Sequence, residues 1–148
     1  MGALEKYVSF KGRDDGGAFI MPNGIQLCQS VLRLEDKVIP GAPYFSIVWY
    51  INPGTHGGTP HTHDFDEFVG FIGSDPEDWT NLNGKIKIYI DGEWLEIDKS
   101  FVMYIPAGVE HCPYEILELE KPIIHFSGSP STNYGRASGE FGDSLDEK

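Results

Sequence analysis

The sequence predicts an all-β domain, a sandwich or barrel of short strands. Three observations carry that expectation. Apolar residues recur with period two through most of the chain, and no stretch of about ten residues shows a convincing helical repeat. The 18 Gly and 10 Pro are enough to punctuate the chain with tight turns. Aromatics that favour strands are abundant, with 9 Phe, 7 Tyr and 3 Trp.

Taken in order, residues 25–34 (IQLCQSVLRL) alternate loosely and contain branched side chains. Residues 44–51 (YFSIVWYI) are apolar enough for a strand buried on both faces. A glycine-rich turn follows over 52–58, then an extended piece through His63 and a strand over 67–72. The segment 73–84 reads as a turn-rich loop with a short helical turn beginning at Pro76, capped by Ser74 or Asp75. Residues 85–90 alternate cleanly, with Ile86, Ile88 and Ile90 on one face, and Asp91-Gly92 is a strong hairpin signal leading into 93–97. Further strands are expected over 101–105, 110–116 and 122–127. Residues 1–17 form an N-terminal extension and 18–127 the barrel. Residues 128–148 are an acidic, Gly- and Ser-rich tail expected to be mobile, so deleting 130–148 should leave thermal stability nearly unchanged.

With 148 residues the chain suits one domain. Its 23 acidic against 11 basic residues give a net charge of −12, which opposes binding to nucleic acid or to an anionic membrane. No run approaches the roughly 18 apolar residues of a membrane helix, and the first residues show no secretory pattern, so a cytoplasmic protein is expected. Cys28 and Cys112 match no CxxC pattern and read as buried free thiols.

Chemistry concentrates in two segments. In His61-Thr62-His63-Asp64-Phe65-Asp66-Glu67, an extended chain puts His61 and His63 on one face, and a tight turn returns Glu67 to the same cavity. In Pro106-Ala107-Gly108-Val109-Glu110-His111, a Pro/Gly turn starts a strand with an inward histidine. Three imidazoles and a carboxylate suit Fe(II), Mn(II), Ni(II), Zn(II) or Cu(II), and leave positions on a six-coordinate ion for water, substrate or dioxygen. Any one of these histidines alone would read as an ordinary turn or surface residue. Their joint spacing is what favours a metal.

Both segments resemble the two sequence motifs of the cupins. His61, His63 and Glu67 stand at the first motif's spacing, and Pro106, Gly108 and His111 at the second's, with the resemblance running over about 44–127. The departures fall at turn positions: Thr55, Ser74 and Ser100 stand where glycines would, and Glu115 where an asparagine would. The resemblance implies a single-domain antiparallel jelly-roll β-barrel holding one divalent metal, and homodimerisation through sheet edges.

Other residues carry narrower expectations. Val69 and Phe71 share the inward face of Glu67 and are expected as pocket walls, with Tyr104 and His125 as polar pocket candidates; each also has a bland reading as core. His56 reads as an exposed turn residue, Glu115 as exposed, and Cys112 as facing away from the metal. Trp49 is expected in the core ahead of a pocket floor, Trp79 as a lid or dimer contact, and Arg33 as a charge on a strand. Together these predict a metal-dependent enzyme acting on a small molecule, with Fe or Mn ahead of Ni or Zn and dioxygenase chemistry slightly ahead. Isomerase, decarboxylase or lyase chemistry, or a non-catalytic metal- or ligand-binding barrel, are the alternatives.

Overall fold

The structure is a computed structural model and describes residues 2–134. A five-residue helix α1 (Ala3–Tyr7) precedes ten strands: β1 (Ala18–Ile20), β2 (Gln26–Leu34), β3 (Tyr44–Tyr50), β4 (Gly54–His56), β5 (Glu67–Gly73), β6 (Asn81–Ile90), β7 (Glu93–Lys99), β8 (Phe101–Ile105), β9 (His111–Leu119) and β10 (Ile123–Ser129). They form a six-stranded sheet in the order β1-β2-β3-β10-β5-β8 and a four-stranded sheet in the order β4-β9-β6-β7. Every pairing is antiparallel. No helix among the described residues is long and apolar enough to cross a membrane.

The core lies between the sheets, where Val48, Tyr50, Phe71 and Ile123 meet Ile86, Ile88, Tyr114 and Ile116. Alternation sets this arrangement. On β3, Tyr44, Ser46, Val48 and Tyr50 are buried while Phe45, Ile47 and Trp49 face the other way, so Trp49 is half-buried on the outer face and does not line the core. The strand is therefore one-sided, not buried on both faces as its composition suggests.

Several boundaries differ from the sequence expectation. The glycine-rich turn contains β4, whose Gly54, Thr55 and His56 pair with Ile116, Glu115 and Tyr114. Strand β6 begins at Asn81, shortening the expected loop, and a register shift between Asn81 and Ile86 hides that start from any period-two reading. The turn within the loop is capped by Asp75, whose Oδ1 accepts the Glu77 N–H at 2.9 Å. That bond first, and Lys121 second, hold the Asp75 carboxyl below its usual value.

The largest departure is at the C-terminal side. Strand β10 runs to Ser129, past the expected end of the barrel, and the following residues pack instead of leaving the surface. The Tyr44 N–H donates to the Ser131 carbonyl at 2.8 Å, the Asp36 N–H to the Thr132 carbonyl at 3.0 Å, and Tyr134 stacks on Tyr44 at 4.4 Å. The remainder of the expected tail, 135–148, lies outside the described residues.

Candidate metal centre

Backbone pairing brings the two motif segments together. The His61 N–H donates to the His111 carbonyl at 3.1 Å and the His111 N–H returns the bond to His61 at 3.0 Å, an isolated antiparallel bridge between the segments. The Gly108 N–H donates to the His63 carbonyl at 2.9 Å, and the Ala107 N–H to Asp66 Oδ1 at 3.0 Å. Glu67 opens β5 opposite Ile105. Residues nearly 50 positions apart thus become neighbours because the turn at Pro106–Gly108 docks onto the first motif.

All four expected ligands are buried, each at 3% exposure or less. His111 Nε2 lies 3.1 Å from Glu67 Oε1, and His63 Nε2 lies 3.5 Å from the same oxygen. Donor atoms of His63, Glu67 and His111 all fall within 4.8 Å of one another. His61 stands beside this trio, its ring 4.5 Å from His111 and 4.9 Å from His63, and it groups with His111 and Cys112 by the same measure. Three of the four ligands therefore converge directly, and the fourth adjoins them through His111.

The imidazoles are oriented from behind. A carbonyl can only accept, so the 2.8 Å contact from His61 Nδ1 to the Thr59 carbonyl and the 2.9 Å contact from His111 Nδ1 to the Val109 carbonyl place the proton on Nδ1 in both rings. Each Nε2 then carries a lone pair, as a metal ligand requires. His111 Nε2 and Glu67 Oε1 are buried and make no hydrogen bond despite their approach. A buried carboxylate oxygen without a proton donor costs free energy unless a cation neutralises it. Neighbouring ligands on one ion with bonds of about 2.0–2.2 Å stand roughly 3 Å apart, so the residues present fit a divalent metal.

No family model matches this chain, and no curated protein matches it. Solved structures do resemble it in three dimensions. A predicted oxalate decarboxylase from Thermotoga maritima superimposes with a TM-score of 0.53 at 13% identity, covering 81% of this chain and 91% of that one. Oxalate oxidase in complex with the substrate analogue glycolate gives 0.52 at 17% identity, over 79% of this chain and 56% of that one. An RmlC-like cupin from Shewanella frigidimarina gives 0.47 at 13% identity, over 86% and 95%. The chain has the cupin fold.

Within this cupin barrel the remaining expectations divide. Val69 and Phe71 face inward as expected, and His125 is buried, its Nδ1–H donating to the Gly70 carbonyl at 3.0 Å while its ring stacks on Phe71 at 4.3 Å. Tyr104 does not line a pocket. It is 64% exposed on the outer face of β8, because it falls one position out of phase with the inward residues of that strand. Its hydroxyl is held above the usual tyrosine value by partial desolvation and then by the Asp66 carboxylate. Trp79 is exposed. Arg33 is buried against Glu35 at 2.6 Å, with its guanidinium over the Tyr44 ring.

Two expectations reverse. His56 is buried, with Nδ1 2.6 Å from the Tyr50 hydroxyl and 3.1 Å from that of Tyr114, because β4 turns it into the barrel. Cys112 does not face away from the ligands. It takes a φ of +67° where β9 and β6 lose register, so both His111 and Cys112 are buried and the inward position passes to Tyr114, leaving Glu115 half-buried on the other face. A cavity of about 450 Å³ opens beside His56 between Phe19, Met21 and Thr55, but none of the four ligands lines it.

Sequence reasoning missed Tyr50, Tyr114 and Tyr134. Tyr50 was recoverable from strand phase, since it follows Tyr44, Ser46 and Val48 at every second position, whereas Tyr114 turns inward only through the irregularity at Cys112. Tyr134 sits in a polar segment with no periodicity, yet its hydroxyl lies 3.1 Å from His63 Nε2.

Proposed function

We propose that this cupin is a metal-dependent enzyme acting on a small molecule. The observation that carries the reading is the buried approach of His111 Nε2 to Glu67 Oε1 without a hydrogen bond, with His63 Nε2 beside them. His63, Glu67 and His111, joined by His61, would hold one divalent ion, with Fe or Mn ahead of Ni or Zn. Such an ion supplies Lewis acidity and, if iron, a site for dioxygen. The protein's part is to hold His61 and His111 by their Nδ1 protons and to neutralise part of the ion's charge with Glu67. Oxygenase chemistry is favoured narrowly. Isomerase, decarboxylase or lyase chemistry on the same ligands consumes no oxygen, and a shared fold carries no substrate across at these identities.

Metal content measured per chain, after purification without added metal or chelator, tests the ligand assignment. About one equivalent is expected in the wild-type protein and loss of most of it in His111→Ala. Wild-type content in the variant removes His111 from the ligand set. Oxygen-uptake screening against small phenols, thiols and keto acids then separates oxygenase from non-oxidative chemistry. A second copy of the chain is also proposed as a partner, supported by the apolar outer face of the six-stranded sheet, where Phe68, Ile72, Val102 and Tyr104 are each more than a third exposed.

A further inference from the structure

We infer that Tyr134 is a substrate-binding residue of this centre: its hydroxyl donates a hydrogen bond to an anionic oxygen that the substrate presents beside the ion. This makes the substrate a small acid, enolate or phenolate that binds through oxygen. The inference rests on the metal-dependent reading above and adds the substrate class to it.

Tyr134 is held by more than its contact with His63, whose ring lies 4.8 Å away. The Tyr134 ring stacks on Tyr44 at 4.4 Å with planes 30° apart. The carbonyls of Ser131 and Thr132 accept from the backbone of Tyr44 and Asp36, and Ser131 Oγ donates to the Asn133 carbonyl at 2.7 Å. Tyr44 is itself fixed, being 1% exposed, with its hydroxyl 3.1 Å from Ser127 Oγ and the Arg33 guanidinium over its ring. The half-buried Tyr134 ring therefore rests on a side chain that is itself held from several directions.

From that position the hydroxyl reaches His63 Nε2 at 3.1 Å, while the same nitrogen stands 3.5 Å from Glu67 Oε1. One nitrogen lone pair serves either a hydroxyl proton or a metal ion, not both. When His63 gives Nε2 to the ion, the ring keeps its stacking on Tyr44 and the hydroxyl, released from that nitrogen, stays beside the ligand cluster. A phenol O–H there rewards a ligand atom that still has a lone pair to accept with, and a negatively charged oxygen most of all. A bound imidazole offers no such acceptor, because its second nitrogen carries a proton.

The test uses the full-length protein loaded with Co(II), wild type and Tyr134→Phe, each titrated with acetate and separately with imidazole while the Co(II) visible bands are followed. The phenylalanine keeps the ring that stacks on Tyr44, and thermal melting checks that both proteins fold alike. Acetate should bind roughly tenfold more weakly to the variant, and imidazole should bind the two proteins alike. Unchanged acetate binding, or equal weakening of both probes, overturns the inference while leaving the metal centre standing. A variant that binds Co(II) itself more weakly with the acetate-to-imidazole ratio unchanged also overturns it, since Tyr134 would then be a ligand of the ion. Failure of the wild-type protein to bind Co(II) removes the metal-dependent reading and this inference with it.

Discussion

Tyr50 Oη lies 2.6 Å from His56 Nδ1 and 2.5 Å from Tyr114 Oη, so three titratable side chains share a small set of protons inside the barrel. Their rings meet at 5.8–6.0 Å centroid separations, two of them edge-on within a few degrees of perpendicular, which packs the cluster as well as bonding it. Removing the central hydroxyl by Tyr50→Phe leaves His56 and Tyr114 able to bond each other at 3.1 Å, so the loss should be about 1–2 kcal/mol rather than the larger cost of an orphaned group. Urea denaturation at constant m-value measures this. An unchanged midpoint would mean that Tyr50 contributes no net hydrogen bond. Sequence composition gave no hint of the cluster, because His56 stands among glycines and its burial depends on a three-residue strand.

At the scale of the elements, strands β5 and β6 cross closely where Gly73 ends the former. A Cβ there would stand 1.9 Å from the Asn81 carbonyl oxygen, which is backbone and has no rotamer to yield. Gly73→Ala should therefore cost about 3 kcal/mol or more by forcing the two strands apart. Gly92, at φ +84° in the β6–β7 turn with open space around its Cα, should lose only about 1–2 kcal/mol on the same change. Thermal midpoints of the two variants, compared side by side, check the ranking; equal losses would show that β5 and β6 separate freely at that point. The Asp91-Gly92 hairpin was legible because the turn needs two positive φ values and the residues supply them. The start of β6 was not, because its irregular register breaks the period that sequence reading depends on.

For the whole molecule, an ion held by buried ligands should stabilise the fold by mass action, about 2.7 kcal/mol at a hundredfold excess over its dissociation constant. The sign with pH follows from proton counting. The unfolded chain's histidines take up protons as pH falls, whereas ligating imidazoles must stay neutral, so the stabilisation is present at neutral pH and lost below about pH 6. The gap in melting midpoint between metal-loaded and chelator-treated protein should close by pH 5; a gap that persists at pH 4 argues against histidine ligation. Truncation before residue 130 should lower the midpoint, contrary to the reading of that segment as a tail, since it deletes the carbonyls that accept from Asp36 and Tyr44 and the ring stacked on Tyr44. An unchanged midpoint would show that this packing contributes nothing to stability.

The sequence by itself determined the fold class and singled out the candidate donor residues. Period two, turn residues and the spacing of His61, His63, Glu67 and His111 are local signals, carried by residues whose neighbours along the chain define their environment. Tertiary structure decided what surrounds those donors. Tyr134 reaches His63 across 71 positions, Tyr50 reaches Tyr114 across 64, and Cys112 turns inward through a register shift that only the pairing with β6 defines. Contacts of that range depend on the phase of two strands and the path of the chain between them, and neither is written in any short stretch of residues.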